Sequence, residues 1–309
     1  MMPAFTAAQA PKILHAARQD LEAIFLVTQT VVAPVFDTQI AAACVGMKPQ
    51  LGYADLSKTL LGVSIAKSQT RTDWTRRPLS EAQMAYAAED VRHLNDIAIR
   101  LRSRLAELGR ENWVQEDCEQ LANAKLYDLD PERAWTRLKG VAQLAPRAGG
   151  IAKSLAIWRE RLARERDLPR AWILSDAAIF MLAQAEPSSI DSMRKAAPET
   201  DALPESAAAS LIEAIARSEA PETGADMVAQ DLRPTAQQKA LIGRLSQVVD
   251  QRASELELSP EVLATRGELK SLVMTGNGAA RRAIAETQCM RGWRRAQIGE
   301  RLLAELGGN

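Results

Sequence analysis

A single short segment is the best β-strand candidate in this 309-residue chain, and most of the remaining sequence has helical patterns. Residues 31–36 read Val-Val-Ala-Pro-Val-Phe, a β-branched, apolar run that suits a buried strand. Apolar residues recur near helical spacing in residues 7–27. Further helical patterns cover residues 37–47, 54–62 and 80–108. After residue 131 the sequence predicts only helices and short turns, so we expect a mainly α fold.

The bulk composition gives little information about a partner. The formal net charge is +0 and the pI is about 6.8, so any contact with nucleic acid must come from local clusters of lysine and arginine. The three cysteines lie far apart and form no C-x-x-C pair, which favours a reducing cytoplasm. No apolar run of about 18 residues occurs, so we expect no membrane partner. A monomer is the expected state.

The strongest local pattern is Tyr86-x-x-x-Asp90, in a helix that Ser80 can cap and Gly109 can end. Residues four apart share one helical face. A carboxylate and a phenol on one face could hold a cation and orient a water molecule for attack. The same spacing also fits an ordinary amphipathic helix, with the tyrosine at the core edge and the aspartate in solvent.

Two weaker patterns precede this one. His15 and Asp20 belong to the segment His-Ala-Ala-Arg-Gln-Asp, which could equally be a solvated helix face with a partly buried histidine. Asp37 directly follows the strand candidate and could cap the next helix.

A basic loop lies between the helical patterns. Residues 67–79 hold one lysine, three arginines and a tryptophan in a stretch without a clear period. Such a cluster suits a phosphate backbone and a stacked base. The candidate nucleic-acid contacts are Lys67, Arg71, Trp74 and Arg77. Alternatively, the tryptophan could fill the core while the arginines pair with acidic residues.

Taken in order, these motifs resemble ribonuclease D, a family of the DEDD exonuclease superfamily and of its tyrosine-bearing subclass. The segment from His15 to Asp20 resembles the second exonuclease motif, the basic loop matches the family's loop, and Tyr86-x-x-x-Asp90 matches the third motif. The resemblance implies part of an α/β, RNase H-like exonuclease domain over residues 1–126.

The same resemblance implies an activity and a site. It implies a 3′→5′ exoribonuclease that trims the single-stranded 3′ ends of tRNA precursors by two-metal-ion hydrolysis. Tyr86, Asp90 and Asp20 would be catalytic, and Asp90 and Asp20 would bind the metal, Mg²⁺ or Mn²⁺. Asp90 would ligate the ion that activates water, with Asp20 supporting the site largely through metal-bound water.

The rest of the chain resembles the helicase-and-RNase-D C-terminal (HRDC) domain, an all-α helical bundle, in two copies. The copies would cover residues 127–220 and 235–309, with a linker at 221–234. Each carries a tryptophan–arginine pair. The tryptophans that carry the resemblance are Trp135, Trp158, Trp172 and Trp293, and all of them could simply pack in a core.

A local basic stripe runs through the first of these copies. It consists of Arg159, Arg161, Arg164, Arg166 and Arg170. We expect Arg159, Arg164 and Arg170 to contact RNA phosphates. The interspersed Glu160 and Glu165 could instead neutralise the stripe.

The family's first motif, an Asp-x-Glu on the opening strand, has no match upstream of His15. Asp20-Leu-Glu22 has the spacing but lies in a helical pattern, and Asp37 comes too late in the order. Hydrolysis with two cations relies on several carboxylates, and only two of the family's four are matched. We therefore expect an N-terminally incomplete ribonuclease D that binds metal poorly and cuts RNA slowly or not at all. The strand candidate would be left with unpaired edges.

Two other functions fit parts of the sequence. The helical domains could hold RNA while the exonuclease part is inert, in which case binding should fall steeply with salt. HRDC domains also accompany helicases. No G-x-x-x-x-G-K-[ST] phosphate loop occurs, which argues against a motor in this chain.

Overall fold

The computed structural model describes residues 9–65, 69, 72–127, 130–219, 234–274 and 287–307. Its chain divides into two compact units. One unit contains the residues up to Tyr127, called here the N-terminal region, together with those from Pro234 onward, called the C-terminal bundle. The other unit lies between them in sequence and is called the middle unit.

The N-terminal region contains two short parallel strands, β1 (Lys12–Leu14) and β2 (Val35–Asp37), with Ile13 opposite Phe36. β2 confirms the second half of the predicted strand. The sequence places β1 inside a helix, and this prediction is wrong, as is the expectation that β2 has no paired edge. Three residues are too few to show an alternating pattern, so only the pairing with β2 identifies β1.

Helices make up most of the N-terminal region. They are α1 (Arg18–Thr28), α2 (Thr38–Cys44), α3 (Tyr53–Leu61), α4 (Glu81–Arg92), α5 (Leu94–Leu108) and α6 (Glu111–Leu121), followed by a 3₁₀ turn at Ala124–Leu126. Ser80 caps α4 as predicted, in a capping box with Gln83. Gly109 ends α5 as predicted, in the left-handed region with φ of 65°. The single helix predicted over residues 80–108 is, however, two helices that meet at His93.

The core of the N-terminal region lies between β2, α2, α3, α5 and α6. Its large buried side chains include Phe36, Leu56, Ile97, Leu101, Leu105 and Val114. A smaller cluster, with Leu21, Phe25 and Tyr127, attaches α1. This cluster holds α1, which carries one of the candidate site residues.

The middle unit is all α within its described residues, 130–219, as expected. It comprises α7 (Pro146–Glu165), α8 (Arg170–Ile173), α9 (Asp176–Ala185), α10 (Ile190–Ala196) and α11 (Glu205–Ala216), with 3₁₀ segments at Pro131–Arg137, Val141–Gln143 and Pro198–Ala202. The long helix α7 lies at the centre of its core, where it buries Ile151, Leu155 and Ala156 completely.

The C-terminal bundle is also helical. It comprises α12 (Ala236–Glu255), α13 (Pro260–Leu263), α14 (Arg266–Met274), a 3₁₀ turn at Gln288–Met290, α15 (Gly292–Arg294), a π turn at Arg295–Gly299 and α16 (Glu300–Gly307). Its core, around Leu245 and Leu302, also packs against Ala43 and Trp113 of the N-terminal region. Within the described ranges, no helix has the length and apolar character needed to cross a membrane.

Candidate active site

Asp37 organises the junction between the two strands and two helices. Its buried carboxylate accepts the N–H groups of Gln39 and Ile40, which makes Asp37 the predicted N-cap of α2. The same carboxylate accepts the N–H groups of Ala16 and Ala17, at 3.1 and 2.8 Å, directly before α1. One side chain therefore fixes where both helices begin.

Asp20 lies in the first turn of α1, the helix whose start Asp37 holds. Its side chain is exposed. Partial burial raises the pKa of Asp20, and the charge of Asp37 raises that pKa further. The field of Asp37 thus disfavours the ionised form of Asp20, and a cation bound here would relieve that effect.

Tyr86 and Asp90 lie one turn apart on α4. The ring of Trp74 packs against the ring of Tyr86, with centroids 5.9 Å apart and planes inclined by 50°. Asp90 is exposed, and partial burial followed by the charge of Glu89 raises its pKa. The phenol, the carboxylate and the loop tryptophan therefore share one side of α4.

Tyr53 is a residue beside this surface that the sequence did not single out. Its hydroxyl donates to the carbonyl of Glu89 (3.3 Å) and accepts the N–H of His93 (3.1 Å). In an uninterrupted helix these two backbone groups bond to each other. The hydroxyl is inserted into that hydrogen bond, which explains why α4 ends at Arg92. Because its partners are backbone atoms, no side-chain spacing could have revealed it.

His15 directly follows β1 and contacts Thr38 of α2 and Tyr53 of α3. Its ring centroid is 5.8 Å from that of Tyr53, and its Nδ1 is 3.0 Å from Thr38 Oγ1. Burial lowers the pKa of His15 against the opposing charge of Asp37. His15 is thus the partly buried histidine that the sequence analysis gave as the alternative to a functional motif. It packs against Tyr53 from the end of β1.

The contacts join the predicted catalytic residues in two groups. One group contains Trp74, Tyr86 and Asp90. The other contains Asp20 and Asp37. The two groups are linked through His15, whose ring packs against Tyr53, and through the Tyr53 hydroxyl, which bonds to the backbone of α4. The pKa of Asp20 responds to Asp37, and that of Asp90 responds to Glu89.

The donor groups around these carboxylates limit how a metal could be held. Among the described residues, no group of three or more His, Cys, Asp or Glu side chains is placed to hold a metal ion. Two carboxylates in different surroundings do not make a complete site for two cations.

The basic loop is described only in part, and the predicted contacts Lys67 and Arg71 lie outside the described residues. Trp74 is half-buried against Tyr86, so it both packs and borders the candidate site. Arg77 is exposed, and its Nη1 donates to the carbonyls of Trp74 and Arg76 at 2.9 and 3.0 Å. Hydrogen bonds within the loop therefore stabilise this part of it, next to α4.

The arginines of the middle unit differ in exposure. Arg159 is 5% exposed, and its Nη1 donates to the Leu174 carbonyl and to Asp176, so its prediction as a phosphate contact is corrected to a structural role. Arg164 and Arg170 are exposed, and both face the buried carboxylate of Glu160. The predicted neutralisation by Glu160 is therefore present, whereas Glu165 remains exposed.

The second tryptophan–arginine pair lies at a contact within its own unit. Trp293 is buried and stacks on Trp113 of α6, with centroids 4.2 Å apart and planes inclined by 5°. Its Nε1–H donates to Asp117 at 3.2 Å. Trp293 therefore packs in a core, which is the alternative that the sequence analysis gave for the tryptophans. That core includes residues of the N-terminal region.

Comparison with known proteins agrees with this arrangement. A family model described as a 3′-5′ exonuclease matches residues 1–106, and the HRDC domain model matches residues 148–201. The ribonuclease D of Jannaschia sp. (strain CCS1) is 34% identical over 304 residues, which cover 96% of this chain and 75% of the relative. That of Pseudomonas paraeruginosa is 33% identical over 306 residues, covering 96% and 78%.

A solved structure is similar along almost the whole chain. The crystal structure of Escherichia coli RNase D, described as an exoribonuclease involved in structured RNA processing, superposes with a TM-score of 0.81 at 26% identity. The match covers 99% of this chain and 81% of that one. A protein from Bifidobacterium adolescentis shares the fold, with a TM-score of 0.67 at 23% identity.

The matched segments and the helical architecture define an enzyme class, a 3′→5′ exonuclease followed by an HRDC domain. The relatives make this assignment more specific. This chain belongs to the ribonuclease D family of exoribonucleases, which act on RNA and whose exonuclease domain generally uses divalent metal ions.

Proposed function

We propose that this chain acts at the single-stranded 3′ end of RNA, with tRNA precursors as the substrates. The observation that carries the proposal is the surface of α4, where Tyr86 and Asp90 lie on one side and Trp74 packs on Tyr86. The tryptophan borders the residues that would perform the cut. A half-buried indole that packs on the phenol suits a terminal base stacked next to the scissile phosphate.

The proposed reaction is two-metal-ion hydrolysis that releases nucleoside 5′-monophosphates, with Mg²⁺ or Mn²⁺ as the cofactor. Asp90 and Asp20 would hold the metal, and the hydroxyl of Tyr86 would orient the attacking water. Burial, and then the charge of Asp37 or Glu89, raises the pKa of both carboxyls, and a bound cation would favour their ionised forms.

We also propose that this polypeptide is a weak catalyst. Mg²⁺ binds protein through few ligands, so each carboxylate counts heavily. Asp20 and Asp90 lie beside different acidic neighbours, and the described residues offer no third ligand to either. Metal should therefore bind loosely, and RNA should be trimmed slowly.

A direct test incubates the 309-residue chain with a 3′-extended tRNA and Mg²⁺ or Mn²⁺, and measures nucleoside 5′-monophosphate release. Asp90→Asn is compared with Asp96→Asn, an exposed aspartate in the first turn of α5. We expect slow trimming that Asp90→Asn abolishes and Asp96→Asn does not. Fast, Asp90-dependent trimming would contradict the weak catalysis, and trimming indifferent to Asp90→Asn would contradict the site.

The middle unit and the C-terminal bundle are proposed to be the two HRDC domains, over residues 127–220 and 235–309 with a linker at 221–234. A second function, RNA holding without cutting, is favoured by the exposure of Arg164 and Arg170. Its test is the salt dependence of RNA affinity in EDTA, which should be steep if phosphates are contacted.

The proposed setting is a monomer in the cytoplasm. Cys44, Cys118 and Cys289 are buried free thiols, and burial raises the pKa of each to about 12. Such thiols are unreactive and serve as small apolar side chains, which fits a reducing compartment.

A further inference from the structure

The carboxylate of Asp90 belongs to a helical turn that is held open. α4 and α5 meet at His93, where the Tyr53 hydroxyl lies between the Glu89 carbonyl and the His93 N–H, at 3.3 and 3.1 Å. These two backbone groups delimit one turn, and Asp90 is the second residue of that turn. Any change in the opening of the turn therefore moves the backbone that carries the Asp90 carboxylate.

Glu89, the neighbouring acid of the same turn, is directed elsewhere. Its Oε2 pairs with Arg92 Nε at 3.1 Å, and its Oε1 lies 3.4 Å from His93 Nε2. Both partners lie at the end of α4. Glu89 is thus occupied by the side chains that follow it, which leaves Asp90 as the exposed carboxylate of this turn that can face a cation.

Tyr53 is fixed from its other side, so its hydroxyl is held in one place. It is the first residue of α3, and its ring packs against that of His15, with centroids 5.8 Å apart and planes inclined by 57°. Thr38 Oγ1 donates to the Leu14 carbonyl at 3.0 Å and therefore accepts the Nδ1–H of His15 at 3.0 Å. The histidine ring is held at the end of β1 and presents a fixed surface to Tyr53.

The phenol of Tyr53 also lies in the electric field of Asp90. Burial raises the pKa of Tyr53, the His93 N–H opposes that rise, and the charges of Asp90 and Glu89 add to it. Tyr53 is therefore a neutral phenol at neutral pH, with a proton for the Glu89 carbonyl and a lone pair for the His93 N–H. A phenolate would have no proton to donate and would leave the turn without this bridge.

The same side chain relates the two groups of candidate catalytic residues. Its hydroxyl bonds to the turn of Asp90, and its ring packs on His15, directly before the N–H groups that Asp37 accepts at the start of α1. Asp20 lies in the first turn of that helix. Tyr53 therefore contributes to how the Asp20 and Asp90 carboxylates stand relative to each other.

We propose that Tyr53 is the positioning residue of Asp90: by holding this turn open, it sets the direction from which the carboxylate meets a divalent cation. In a closed turn the Glu89 carbonyl and the His93 N–H would lie about 3 Å apart, whereas two hydrogen bonds in series now separate them. A displacement of about 1 Å at a reacting group can cost roughly 100-fold in rate. The inference rests on the proposed function, because that proposal makes Asp90 a metal ligand.

The test measures Mn²⁺ binding to the whole chain without RNA, from the electron paramagnetic resonance signal of the free ion. Tyr53→Phe removes only the hydroxyl and should raise the dissociation constant for Mn²⁺ about 10-fold, the lower end of the range for loss of a group that orients a metal ligand. Asp90→Asn should weaken binding directly. In the double variant the tyrosine change should add nothing, because it acts only through Asp90.

Trimming of a 3′-extended tRNA with Mn²⁺ gives a second readout, in which Tyr53→Phe should lower kcat and leave KM for the RNA unchanged. The matched control is Tyr127→Phe, whose hydroxyl donates to the Leu121 carbonyl at 2.6 Å. It removes a comparable hydrogen bond and should lose similar stability, yet keep the Mn²⁺ affinity and kcat of the unaltered chain. Thermal melting of every variant confirms that each is folded.

Three results would overturn the inference: unchanged Mn²⁺ affinity in Tyr53→Phe, an equal loss in Tyr127→Phe, or a further loss when Tyr53→Phe is added to Asp90→Asn. The last two would mean that the phenol supports the fold in general rather than the position of Asp90. Failure of the proposed function would be seen separately, because Asp90→Asn itself would then leave Mn²⁺ binding and nucleotide release unchanged.

Discussion

Arg294 binds Asp117 through two parallel hydrogen bonds, Nη1 to Oδ1 at 2.5 Å and Nη2 to Oδ2 at 2.9 Å, across 177 positions of sequence. Both side chains are nearly buried. The N–H of Trp293 also donates to Glu116 at 2.7 Å. The C-terminal bundle therefore binds α6 through Trp293 and Arg294.

A second contact joins the same parts. Arg110 donates from Nη1 to the Cys44 carbonyl at 2.9 Å and from Nη2 to the Leu256 carbonyl at 2.6 Å. Gly46, with φ of 93°, passes so close that a Cβ there would lie 2.5 Å from the Glu257 carbonyl oxygen. Only glycine fits that conformation and that gap.

Arg294→Ala should lower the free energy of unfolding by about 3 kcal/mol, because it leaves Asp117 buried without its cation. Arg295→Ala is the matched control, since its partner Glu300 and Arg295 itself are both more than half exposed. The control should cost about 1 kcal/mol or less. Urea unfolding measures both free energies. Equal losses would show that the buried Arg294–Asp117 pair stabilises the fold no more than the exposed Arg295–Glu300 pair does.

Tyr53→Phe should let the backbone of α4 run on into α5. Loss of the inserted hydroxyl frees the Glu89 carbonyl and the His93 N–H to bond each other. Hydrogen exchange at the His93 amide should change, with a stability loss of only about 1 kcal/mol, because one backbone hydrogen bond replaces the two made through the hydroxyl.

The matched control for this change is Tyr127→Phe, whose hydroxyl donates to the Leu121 carbonyl at 2.6 Å, well outside α4. It should leave exchange at His93 as it was. A change at His93 in the control, or none in Tyr53→Phe, would contradict the inserted-hydroxyl explanation of the break.

The stability of the chain should fall as the pH drops below about 6.5, the usual pKa of histidine. Burial lowers the pKa of His15, so the unfolded chain takes up a proton more readily than the folded one. The stabilising contribution is complete above the unfolded pKa and is lost as pH falls towards the folded one. His15→Gln should remove this part of the pH dependence.

An NMR titration gives the direct readout, since the chain has two histidines. The ring signal that disappears in His15→Gln should titrate below 6.5. A midpoint above that value would mean that the charge of Asp37 outweighs burial, and the stability would then rise on mild acidification.

Arg159→Ala should destabilise the middle unit by about 1–3 kcal/mol, because the Leu174 carbonyl loses a buried donor. Arg161→Ala is the control, since Arg161 pairs with Glu132 on the surface and both are more than half exposed. It should cost about 1 kcal/mol or less. If Arg159→Ala instead left stability unchanged and weakened RNA binding, the structural role would be contradicted.

The sequence predicted the features that depend on local chemistry. The caps at Ser80 and Asp37 and the end at Gly109 follow from side-chain donors and acceptors a few residues away, or from backbone freedom at one residue. The family, its mainly helical fold and its HRDC domain could also be recognised from motifs in the right order, which the comparisons confirm.

Features that depend on distant partners could not be predicted. β1 is a strand because Val35–Asp37 lies beside it, and α4 ends at His93 because Tyr53 reaches it from α3. Arg159 belongs to an evident basic stripe, yet its position faces the core. Helical spacing defines a face but does not say whether solvent or another helix covers that face.

The contacts of Trp293 and Arg294 with α6 affect how deletion experiments should be designed. A chain cut after residue 219 would uncover the indole of Trp113 and leave Asp117 without its counter-ion, on a helix whose Cys118 Sγ accepts the Asp37 N–H at 3.4 Å. Loss of activity in such a shortened protein would follow from a disturbed position of Asp37, the aspartate at which α1 and α2 begin. It could not be credited to missing RNA contacts, so point substitutions on the outer surface of the bundle are the sounder way to assign that role.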